Sequence, residues 1–205
     1  NPKRSIRNLV DLGEYFATGR FQKDFFELAH SLLVNENSSY YQLIENIVKN
    51  VDHNLLTTFG INIGYNSWTM GAGKIREYEK IHKINVPWTI VFNFNEKSEK
   101  QLTFDEIMNL ISQGKKIGIY SYNFIIENNS SYLFDLISVI EQNKDCAFIL
   151  FVNPELLSIK YIESIKVSAN ILVLLLDSYD IEDNNISLFN TSKFLSDNKY
   201  LYGIY

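Results

Sequence analysis

Apolar positions along this chain follow two rhythms. Over residues 3–82 they recur at three- and four-residue steps, as one face of a helix requires. Leu9, Leu12 and Tyr15/Phe16 mark a first helix, and Phe25, Leu28 and Leu32 a second. Residues 40–51 repeat the rhythm, with Tyr40, Leu43, Ile44, Ile47 and Val48 on one side. Asp52 is placed to cap the next segment. That segment, 55–64, suits either a strand or a buried helix, and 70–82 reads as a clear helix. From residue 86 short apolar runs alternate with amphipathic stretches. The runs are 88–94, 117–124, 147–152, 171–176 and 200–204, with helices expected at 104–115, 132–142, 154–166 and about 188–198.

Several helix ends are written in side-chain chemistry. Thr103-Phe-Asp-Glu106 is a capping box, in which hydroxyl and carboxylate each satisfy a backbone N–H. Pro154 suits a first helical turn. Gly114 is positioned to end its helix, ahead of two lysines. Runs that are apolar throughout indicate strands buried on both faces. A helix in every connection then implies parallel strands with right-handed crossovers, either a barrel segment or an open α/β sheet. The expected architecture is α/β: an N-terminal helical region, 1–83, and a partial (β/α) barrel of parallel strands, 84–205, in one compact unit.

Composition narrows the function. The 205 residues are 46% hydrophobic and 21% charged, with 14 Phe and 13 Tyr to build a core. A formal charge of −5 gives phosphate backbones and anionic membranes no general attraction, so neither is expected as a partner. No run reaches the roughly 18 apolar residues of a membrane span, and the polar Asn8, Asp11 and Glu14 interrupt any signal-peptide core. The chain reads as cytoplasmic. It begins without Met and stops on the strand-like Leu201-Tyr-Gly-Ile-Tyr205, which is compatible with a piece of something longer. The single cysteine, Cys146, excludes an internal disulfide and a cysteine-only metal site, and its apolar surroundings read as core.

A series of segments resembles a known family. Tyr40-Tyr-Gln-Leu-Ile44, Asp52, Thr57-Thr-Phe59 and Ile75-Arg-Glu-Tyr-Glu79 lead to Ile84-Asn-Val-Pro-Trp88. Leu102-Thr-Phe-Asp-Glu-Ile107, Ser112-Gln-Gly-Lys-Lys-Ile-Gly-Ile-Tyr120, Asp145-Cys-Ala-Phe-Ile-Leu-Phe-Val-Asn153 and Phe194-Leu-Ser-Asp-Asn-Lys-Tyr-Leu-Tyr-Gly203 follow. In order, these resemble the helical lead-in and successive barrel steps of radical S-adenosylmethionine (SAM) proteins, over roughly residues 38–205. The resemblance implies a C-x-x-x-C-x-x-C loop after the first strand, ligating a [4Fe–4S] cluster, and a Gly-Gly-Glu-Pro segment contacting SAM. Here the first is replaced by Asn93-Phe-Asn-Glu-Lys-Ser-Glu-Lys-Gln101 and the second by Asn123-Phe-Ile-Ile-Glu127. Thiolates hold such clusters, and Asn, Lys and Ser do not replace them. No cofactor is therefore expected.

Other chemistry is thin. Gly71-Ala-Gly73-Lys74 lacks the glycine and the Ser/Thr of a phosphate loop, having Trp68 and Ile75 there. His30, His53 and His82 have no close His or Cys partner in the sequence, and no Gly-x-Ser-x-Gly elbow is present. Asn93, Asn123, Asn153 and Asp177 fall at the C-terminal ends of the expected strands, where parallel α/β folds collect ligand groups. Glu127 and Asp180 can join them. Asn and Asp also punctuate strand-to-loop junctions for purely structural reasons.

The expectation is a non-catalytic, radical SAM-like protein that binds a peptide or protein partner, as an accessory to an active radical SAM maturase. The alternative is a small-molecule-binding protein or cluster-independent enzyme using the Asn/Asp rim. An open terminal strand would also permit a homodimer.

Overall fold

The computed structural model describes residues 2–15, 17, 19–94, 102–126, 128, 132–157, 159–165, 169–177 and 184–205. These form two compact units, residues 1–50 and 51–205. Helices 53–82 thus belong with the sheet.

The first unit holds α1 (Pro2–Tyr15), α2 (Arg20–Leu33) and α3 (Ser39–Asn50). Polar bonds tie the three together: the Tyr41 hydroxyl donates to Leu33 O at 2.7 Å, and Arg7 reaches Tyr41 Oη at 3.1 Å and the Glu36 carboxylate at 3.3 Å. His30 Nε2 lies 2.8 Å from Glu14. The periodic apolar faces read from the sequence are not all covered. Leu9, Leu12, Leu28, Leu43 and Val48 are exposed, and the buried apolar residues of this unit, among those described, are Leu33 and Tyr41. Fifty residues in three short helices have too little interior to bury every such face.

The second unit opens with α4 (His53–Ile61), whose N-terminus is capped by Asp52 through a 3.1 Å bond from Leu55 N. The helix then widens into a π-helix, Asn62–Gly71, before α5 (Ala72–His82). The ambiguous segment is therefore helical. The π-helix packs against the N-terminal ends of two strands. Asn62 Nδ2 donates to Lys144 O and Cys146 O at 2.7 and 2.9 Å, and Asn66 Nδ2 to Asp145 O at 2.9 Å.

Five strands follow: β1 (Thr89–Asn93), β2 (Ser121–Ile126), β3 (Ala147–Val152), β4 (Ile171–Leu175) and β5 (Tyr202–Ile204). They pair in sequential order, all parallel. The connections carry α6 (Phe104–Ile117), α7 (Leu133–Gln142), α8 (Ile159–Ile165) and α9 (Asn184–Asp197). The capping box forms as read, with Thr103 N–H 2.8 Å from the Glu106 carboxylate. Two boundaries differ from expectation. Helix α6 runs through Gly114 and ends at Gly118, whose φ of 108° only glycine adopts freely. Gly114 instead makes room for the Tyr122 hydroxyl, 2.5 Å from where a Cβ would stand. The helix expected from Pro154 breaks into a 3-10 turn, Pro154–Leu156, and α8, because Leu157 is extended.

The two faces of the sheet differ. Phe92, Tyr122, Phe124, Ile126, Phe148, Leu150, Ile171 and Val173 form one buried cluster with Ile107 and Ile111 of α6, Leu136 and Ile140 of α7, Tyr161 of α8 and Leu195 of α9. Helices α6 to α9 thus pack into this core, which Leu55 of α4 and Ile75 of α5 also join. The alternate residues Asn123, Ile125, Ile149, Phe151, Leu172 and Leu174 are only half-buried, and Val91 is exposed. Uniformly apolar runs suggest burial on both sides; here one side is packed beneath helices and the other is not.

Candidate functional site

Strand register orders the helix-free face into rows. The lowest, Thr89, Ser121 and Ala147, is closed off, with Ser121 and Ala147 fully buried. The next is Val91, Asn123, Ile149 and Leu172, and above it lie Asn93, Ile125, Phe151, Leu174 and Gly203. Tyr205 stands edge-on to Phe151, with ring centroids 5.1 Å apart. Above the Thr89 and Ser121 hydroxyls of that lowest row, the strand residues of the face are apolar apart from two carboxamides.

These two are Asn93 and Asn123, the pair of sequence-picked residues that the register brings together. Asn93 ends β1 and is exposed. Asn123 is not at a strand end as expected, but third of six residues in β2, because Gly118 delays the start of that strand. Its Oδ1 is buried with no hydrogen-bond partner. A buried acceptor left unpaired costs about 1–3 kcal/mol, so its presence in the middle of an apolar face requires a reason.

The other two residues stand higher on the rim. Asn153 follows β3, and its Oδ1 accepts from Glu155 N at 3.2 Å, so its amide caps the 3-10 turn. Asp177 lies just beyond β4, its N–H bonded to Tyr205 O at 3.0 Å. Glu127, Asp180 and most of the loop after Asn93 lie outside the described residues. The apolar partners of the site, Val91, Ile149 and Leu172, were not singled out from sequence. The signal available was Asn123 itself, a poor strand former between Tyr122 and Phe124.

A second concavity of about 210 Å³ lies between α6 and α7, lined by Phe104, Ile107, Tyr132, Asp135 and Leu136 among others. It is smaller than the roughly 300 Å³ at which ligand pockets begin. Its one carboxylate, Asp135, lies in the first turn of α7, where an acid is favoured by the helix dipole alone. Lys74, from the glycine-rich stretch, donates to the Tyr120 hydroxyl at 3.2 Å, and His82 stacks on Tyr78 with centroids 4.1 Å apart. Among the described residues no three His, Cys, Asp or Glu side chains are grouped to hold a metal. No described helix is long and apolar enough to cross a membrane.

Cys146 sits just before β3, fully buried, at the N-terminal end of the sheet. Burial, with the Asp145 charge adding to it, pushes its thiol up to about 12. Burial likewise raises the Tyr200 phenol to about 12 and holds Tyr122 and Tyr161 well above the ordinary range. In the unfolded chain these groups ionise near pH 8.5 for Cys and about 10 for Tyr. The folded state therefore keeps protons that the unfolded state loses, and stability must fall as pH rises. The urea midpoint is expected to hold near neutrality and drop steadily from about pH 9; a midpoint constant into strong alkali would contradict this burial. Native Cys146 should also resist alkylation that proceeds readily in denaturant, since the thiolate is the nucleophile.

Comparison with protein-family models, with curated proteins and with solved structures returns no match. The resemblance to radical SAM proteins gains no support there. What stands is an α/β protein with N-terminal helices and a five-strand, all-parallel sheet.

Proposed function

We propose that this chain is a binding protein built on a partial (β/α) barrel, and that its helix-free sheet face receives a peptide or protein partner. Sequential strand order supports the barrel reading. Repeated right-handed crossovers in one direction put every helix on one side, whereas a doubly wound sheet reverses its order at a switch point. The observation that carries the binding reading is the half-open apolar face around Val91, Ile149 and Leu172, which lies opposite a fully packed one. Apolar surface left partly open in this way, with Val91 exposed and Ile149 and Leu172 half-buried, is the kind of surface a partner can cover.

Cluster chemistry does not fit these residues. A [4Fe–4S] cluster of the radical SAM type takes three thiolates near the end of the first strand. The one thiol here is buried at the opposite, N-terminal end of the strands and held protonated. We therefore read the protein as a radical SAM-like barrel without its cofactor, in an accessory role beside an active maturase. The rival reading, a small polar ligand held on the Asn/Asp rim, has less to draw on because Asn153 already caps its own turn.

Selection of displayed random peptides on the purified protein tests the proposal. Binders should emerge whose affinity is lost in Val91→Lys, on an exposed edge position, and in Ile149→Lys. Binders indifferent to both substitutions would contradict it.

A further inference from the structure

We draw no further inference here: the strongest candidate, the half-open apolar sheet face around Val91, Ile149 and Leu172, belongs to the site already described, its one orphaned acceptor, Asn123 Oδ1, is buried out of a ligand's reach, and nothing in the structure shows what covers the face.

Discussion

Replacing Gly71 with alanine is expected to cost this protein about 3 kcal/mol or more, a large share of the 5–15 kcal/mol that holds a typical domain together. Gly71 ends the π-helix where it crosses the turn after α6. A Cβ there would overlap the Gly118 carbonyl oxygen, stand 2.7 Å from Asn66 O and 3.1 Å from the Tyr120 ring. Two of these obstacles are backbone, which cannot rotate away. Gly118→Ala meets the same crossing from the other side, with Lys74 Cβ at 2.9 Å and a φ of 108° besides. Gly73 is the control. It lies in α5 with nothing within 4 Å of where a Cβ would stand, so Gly73→Ala should stabilise by up to about 1 kcal/mol through helix propensity. Urea denaturation of the three variants checks the contact. Similar midpoints for all three would mean that the π-helix does not cross the sheet base as described.

Phe148→Ala should cost about 3–5 kcal/mol, while Ile149→Ala, its immediate neighbour, should cost well under half as much. Phe148 is fully buried in the middle strand, stacked on Tyr122 and Phe124 at centroid distances of 5.8 and 5.5 Å. Its loss would leave a cavity that the crowded helix layer cannot fill. Ile149 points to the helix-free side and is only half-buried, so its removal forfeits less contact. Thermal melts of the pair measure directly which face is packed. Equal losses would mean that the second face is covered as thoroughly as the first, and would remove the proposed binding surface.

Much of this architecture was legible because local chemistry writes it plainly. The capping box at Thr103 and Glu106 and the apolar runs located helices and strands whose connections leave only parallel pairing. Three features were not legible, each because a distant contact decides it. Gly114 and Gly118 are both candidate helix ends; Tyr122, packing its hydroxyl against Gly114 and donating to Ile111 O at 3.2 Å, belongs to the next strand. The π-helix depends on Asn62 and Asn66 reaching carbonyls at positions 144–146, far along the chain. Apolar runs such as 147–152 have no polar alternation to mark an open face. Of the site, the carboxamides were visible as residue types, but only register separates Asn123, set in apolar surroundings, from Asn153, which serves a turn.

We propose that this α/β protein with its five-strand parallel sheet binds a partner rather than performing cluster chemistry, and anaerobic reconstitution with iron and sulfide tests that proposal most directly. The protein is expected to emerge colourless, with no cluster absorbance or EPR signal and no retained iron, because its one thiol is buried and protonated. A brown protein carrying about four irons per chain, with no second chain to supply sulfur ligands, would contradict it.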